Sequence, residues 1–161
     1  MPILTRLQDY LDEHKVAYQL IRHQEAYTAS EIAHTLHISG KMIAKVVIIK
    51  ADDRFVMAVL PSNYKVDFER LADALGGEHV RLATEGEFQE LFPDCGVGAM
   101  PPFGNLYGLE VFVDESLAED EEIVFQAGTH LRVIKLRYQD FADLVHPKVT
   151  NFYLAAGIPG N

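Results

Sequence analysis

Two apolar runs, AKVVIIK (residues 44–50) and RFVMAVL (residues 54–60), stand on either side of Ala51-Asp52-Asp53. Short runs rich in Val and Ile, separated by a brief polar turn, predict a β-hairpin. The rest of the chain must be arranged around that pair. Leu4, Leu7, Tyr10 and Leu11 fall on one stripe and predict an amphipathic helix over residues 5–15. Residues 16–22 (VAYQLIR) alternate as a strand does. Thr28 and Glu31 have the spacing of a capping box, which opens a helix that turns Ile32, Ala33 and Leu36 inward and stops near Gly40. A short helix is expected over 67–75, ended by Gly76-Gly77, and a short strand over 79–82. A second capping box, Thr84 and Glu87, opens a helix over 84–91. Strands are expected over 109–113, 122–126 and 130–136, and a last helix over 138–145, halted by Pro147. Strands and helices alternate irregularly, with hairpins among them. This is the pattern of an α+β fold with a mixed or largely antiparallel sheet, not of a doubly wound one. No linker or internal repeat interrupts residues 1–161, so a single domain is expected.

At 161 residues, 48% of them hydrophobic, the chain can bury one sizeable core. Its longest apolar runs are far shorter than a membrane span. The first 15 residues carry acids in a helical period and lack an apolar segment, so no signal peptide is expected. Cys95 is the single cysteine, which excludes an internal disulfide framework and a cysteine-only zinc site, and suits a reducing cytoplasm. The formal net charge is −10, and acids gather in DESLAEDEE (residues 114–122) with no basic block to match. Proteins that grip long nucleic acid need a basic face, because phosphate neutralisation supplies most of the affinity. A duplex-DNA binder is therefore disfavoured. Contact with the end of one strand, which needs only one or two lysines, is not.

Most routes to side-chain catalysis find little support. Ser30, Ser39, Ser62 and Ser116 all lie outside a G-x-S-x-G elbow. Cys95 could act as a nucleophile with His130 as base, but a lone cysteine more often packs as a small hydrophobe. His34 and His37, with His23 nearby, lack the glutamate and the third ligand of a zinc site, so no metal is expected. Gly40-Lys41 lacks the upstream glycines of a phosphate loop. Two positions stand out. Lys45 precedes four apolar strand residues, Val46–Ile49, and must either snorkel to the sheet edge or present its ammonium into a cavity. Ala127-Gly128-Thr129-His130 is a tight turn whose geometry explains Gly128 and leaves His130 open to a structural or a functional role.

Between them lies GVGAMPPFGNLYG (residues 96–108), too rich in glycine and proline for a helix or a central strand and too apolar for a solvated linker. The strand lysine in AKVVIIK, the G-x-x-x-P-F-G loop (Gly98, Pro102, Phe103, Gly104) and the later A-G-T-H turn recur in this order in one family. Over nearly its whole length the chain resembles the YbaK/prolyl-tRNA synthetase-associated editing domain, which includes free-standing proteins and an insertion domain of bacterial prolyl-tRNA synthetases. The resemblance implies a compact mixed sheet, partly barrel-like, with helices packed around it. It implies a trans-acting deacylase that hydrolyses the ester between a small, wrong amino acid and the 3′ end of a tRNA, without cofactor or protein nucleophile. Carried over by position, Lys45 would hold the terminal adenosine or its phosphate and Gly98 would offer its backbone to the ester. Pro102 and Phe103 would shape the pocket wall, with Gly128 and His130 opposite. Met100-Pro101 stands where several relatives carry smaller or polar residues, which bears on substrate size. The acidic balance suggests that a synthetase or elongation factor presents the tRNA. A non-catalytic module that binds aminoacyl-adenosine-like ligands or a protein partner is the alternative.

Overall fold

The computed structural model describes residues 5–22, 40–76, 79–95, 99–128 and 132–155. The expected helix over 28–40, with His23, Ser30, His34, His37 and Ser39, lies almost wholly outside them, as do Gly98 and His130.

The hairpin forms as expected. Strands β2 (Ala44–Ala51) and β3 (Arg54–Pro61) pair antiparallel, with Lys45 opposite Leu60. Asp52 takes a left-handed φ of 51° in the connecting turn, a conformation that Asp tolerates better than most residues. Strand β5 (Val80–Leu82) pairs antiparallel with β2, and strands β6 (Glu110–Asp114) and β9 (Lys148–Thr150) extend the other side in parallel, in the order β5-β2-β3-β6-β9. The sheet is therefore mixed. Alternate residues enter two separate apolar clusters. Ala44, Val46, Ile48, Met57, Val59, Val111 and Val113 join one, while Val47, Ile49, Ala51, Val56, Ala58, Leu60 and Phe112 join the other. Burial of both faces explains why these strands read as continuous apolar runs rather than as an alternation.

A second sheet, in the order β1-β8-β7, is antiparallel throughout and contains β1 (Tyr18–Arg22), β7 (Glu122–Gln126) and β8 (Arg132–Arg137). A single parallel bridge, Ile43 to Val124, joins it to the start of β2. Strands β4 (Tyr64–Val66) and β10 (Tyr153–Ala155) form a two-stranded ribbon. The described strands do not close into a barrel.

Helix α1 (Thr5–Glu13) buries Leu7 and Leu11, one turn apart on one face. Helix α2 (Phe68–Ala74) is capped by Asp67, whose carboxylate accepts from the amides of Glu69 and Arg70 at 3.1 and 3.2 Å. Helix α3 (Glu85–Leu91) opens with the expected reciprocal box. The Thr84 amide donates to Glu87 at 2.8 Å, and the Glu87 amide donates to the Thr84 hydroxyl at 3.2 Å. A short helix α4 (Glu115–Ala118) follows β6. Helix α5 (Tyr138–Val145) ends at His146, left-handed at φ 53°, just before Pro147. Among the described residues no helix is long and apolar enough to cross a membrane.

The acidic stretch 114–122 is partly buried and partly ion-paired. Asp114 is fully buried. Its carboxylate accepts from the Ser116 amide at 3.0 Å, from the Ser116 hydroxyl, and from the Phe152 amide at 2.8 Å. Lys41 lies 2.8 Å from Asp120 and 4.0 Å from Glu119, and Lys135 lies 3.4 Å from Glu122. Bases distant in sequence are folded onto these acids.

Candidate functional site

The stretch 99–103 runs through the interior. Ala99 and Phe103 are fully buried, and Met100, Pro101 and Pro102 are buried beside them. The Phe103 ring lies 5.5 Å from both Phe125 and Phe141 and 6.3 Å from Tyr10, in tilted and edge-on arrangements that favour aromatic pairs. Its side chain is thus used as an anchor in the core. A Cβ on Gly104 would lie 2.8 Å from the Val111 side chain, so only glycine permits this approach of the loop to β6. The chain then makes a 3-10 turn over Gly104–Tyr107 and leaves it at Gly108 with φ 72°. Part of the glycine pattern in this loop therefore serves packing and turning.

The turn after β7 meets this loop directly. Gly128, at φ +94°, donates its amide to the carbonyl of Ala99 at 2.9 Å, and the Ala127 amide donates to Arg132 at 3.2 Å. Two motifs far apart in sequence are thus joined, backbone to backbone, through the immediate neighbour of Gly98.

Lys45 projects to the sheet face shared by Val47 and Ile49, whereas Met100 and Phe103 belong to the cluster on the other face. The parallel Ile43–Val124 bridge sets β2 and β7 running the same way, one toward Lys45 and the other toward Gln126 and Gly128. The lysine and the turn thus lie on the same side of the bridge. The Lys45 ammonium donates to the Tyr64 carbonyl. Its burial, and secondarily the charge of Lys65, holds its pKa below the ordinary lysine value. Upstream, Lys41 donates to the Ser116 carbonyl at 3.0 Å and to Asp120, which braces the entry to β2.

Other candidates have evident structural work. Burial pushes the Cys95 thiol up to about 11, and its sulfur sits 3.4 Å from the Tyr107 hydroxyl, an environment that disfavours a thiolate nucleophile. Ser116 is buried in the cap with Asp114. Among the described residues no group of three or more His, Cys, Asp or Glu is placed to hold a metal ion. Tyr64, whose carbonyl meets Lys45, carries no signal in the sequence because the contact uses its backbone and not its side chain.

Residues 23–144 match the aminoacyl-tRNA editing domain family. The chain is 29% identical over 155 residues to the multifunctional Ser/Thr-tRNA deacylase ProXp-y of Escherichia coli K12, covering 91% of this chain and 90% of that protein. It is 30% identical over 107 residues to the proline–tRNA ligase of Bacillus subtilis 168, covering 66% of this chain but 19% of the ligase. The crystal structure of a candidate trans-editing enzyme for prolyl-tRNA synthetase superposes with a TM-score of 0.81 at 20% identity, over 92% of this chain and 95% of the other.

Proposed function

This chain belongs to the aminoacyl-tRNA editing domain family, and on that premise we propose that it is a single-domain deacylase acting in trans on tRNA mischarged with a small amino acid. The observation that carries this reading is the Gly128–Ala99 hydrogen bond, which sets the turn against the loop that begins at Gly98. In the proposed site Lys45 holds the terminal adenosine or its phosphate. The backbone at Gly98 polarises the ester carbonyl, and Met100, Pro101 and Pro102 limit the size of the amino acid. Gly128 and His130 line the opposite side.

Water attacks the carbonyl carbon, the bond from that carbon to the ribose oxygen breaks, and a proton passes to the leaving ribose oxygen. The products are a free amino acid and uncharged tRNA. An aminoacyl ester is already activated, so orientation and backbone dipoles can supply most of the acceleration. A size-limited second site suits this task, because one methylene separates substrates by only about 1–3 kcal/mol in a single binding pocket. The acidic chain has little means of binding a whole tRNA tightly, and we assign presentation of the substrate to a synthetase or elongation factor in the cytoplasm.

The test is deacylation of a panel of tRNAs charged with serine, threonine, alanine, cysteine and proline, with Lys45→Ala alongside. The expected result is release of one or more small amino acids well above the spontaneous rate, lost in Lys45→Ala. Ligand-induced stabilisation by aminoacyl-adenosine analogues without any turnover would establish a binding module instead.

A further inference from the structure

We propose that the β4–β10 ribbon is a platform for the single-stranded 3′ end of the tRNA, with Tyr64 and Tyr153 stacking the base that precedes the terminal adenosine and Lys45 and Lys65 meeting its phosphates. This rests on the deacylase reading and adds to it a second subsite.

The Tyr64 and Tyr153 rings are stacked 4.4 Å apart at 18°, and both are half-buried. Tyr64 is also the residue whose carbonyl receives the Lys45 ammonium, so the aromatic pair begins where the proposed adenosine site ends. Lys65 is exposed on the same ribbon, and its charge is felt at Lys45. The Lys41 ammonium lies within electrostatic reach of Tyr64, but Asp120 engages it, which makes it a brace rather than a phosphate ligand. In a chain of net charge −10, two lysines thus flank the stacked aromatics, Lys45 at the Tyr64 carbonyl and Lys65 on the opposite face of the short ribbon. Stacked rings beside one or two ammonium groups are what a single strand recognises, since every base has a π-face and every nucleotide a phosphate. A duplex would require a longer basic track.

The ribbon is held in place before any ligand arrives. The Phe152 amide donates to Asp114 at 2.8 Å, and the Phe152 carbonyl accepts from the Asp67 amide at 2.6 Å. Asn151 donates to Glu115 at 3.0 Å and accepts from Arg70. These bonds immobilise the residues immediately before Tyr153, which lowers the ordering entropy that binding must overcome. Strand β10 also lies beyond residues 23–144, so the platform combines a strand of the family domain with one outside the matched span.

The experiment compares Tyr64→Leu and Tyr153→Leu, which keep apolar bulk, with Tyr64→Phe and Tyr153→Phe, which keep the ring. Each is assayed on seryl-tRNA and on 3′-O-seryl-adenosine, which lacks the preceding nucleotide, and binding of a fluorescein-labelled CCA trinucleotide is followed by anisotropy. The Leu variants are expected to lose about 5- to 150-fold in kcat/KM on the tRNA, as expected for one lost base stack. They are expected to change little on the adenosine ester and to weaken CCA binding, while the Phe variants keep both. An equal loss on both substrates, or no loss on either, overturns the platform and leaves the deacylase standing. If the wild type hydrolyses neither ester, the deacylase reading falls and the trinucleotide decides alone. Binding reduced only in the Leu variants then supports the platform, and binding that is absent or unchanged overturns it.

Discussion

Replacing Phe103 with leucine separates two roles for the residue in the middle of the P-F-G loop. By family position it would shape the pocket wall, whereas its ring sits among Tyr10, Phe125 and Phe141 and is fully buried. Leucine preserves most of the apolar volume but removes all three ring–ring contacts. Each such contact is worth about 0.5–1.5 kcal/mol beyond simple burial, and the smaller side chain leaves a partial cavity. Allowing for partial relaxation, the loss should be about 2–4 kcal/mol. For a domain of this size that lowers the melting midpoint by about 4–16 °C. The assay pairs a thermal melt with deacylation of two esters that differ by one methylene, at a temperature where the variant remains folded. The expected outcome is a large fall in midpoint with the ratio of kcat/KM between the esters unchanged. An unchanged midpoint with a shifted ratio would refute the core-anchor reasoning and restore Phe103 to the pocket wall.

Lys45→Met should abolish deacylation yet raise stability at neutral pH, because a half-buried ammonium is replaced by an apolar chain of similar length. The sign follows from linkage. The folded-state pKa of Lys45 lies below its unfolded value, so the unfolded state binds the proton more tightly. Wild-type stability therefore gains a contribution as pH rises from the folded pKa toward the ordinary lysine value, and Lys45→Met should lack that rise in pH-dependent denaturant melts. Gly128→Ala places a Cβ at φ +94°, which should cost about 1–2 kcal/mol and loosen the Ala99 contact. A lower melting midpoint together with a reduced kcat is expected, and full activity in this variant would show that the contact does not set the site.

Local signals were legible wherever a single side chain settles a backbone problem. The Thr84–Glu87 box, the Asp52-Asp53 turn and the stop before Pro147 all appear where spacing predicts them. Strands β4, β9 and β10 left no trace: β4 follows directly on the longer apolar run of β3, and on β9 Lys148 and Val149 are both exposed, so no alternation of buried and exposed positions shows. The parallel pairing of β3 with β6 depends on a long connection, which no local pattern encodes. At the site, Lys45 was conspicuous as a charge ahead of an apolar run. Its partner was not, because the contact is with a backbone carbonyl and any residue at position 64 supplies one.

The burial of Asp114 also bears on the order in which the chain can finish folding. Its carboxylate is completed by an amide 38 residues downstream, at Phe152. Until the segment around residue 152 folds back, the end of β6 keeps an open, hydrated carboxylate. The core closes over Asp114 only when the segment that carries Phe152 arrives. The same carboxylate also acts as a check on the finished product, because a nascent chain broken off before residue 152 keeps a charge that it cannot bury.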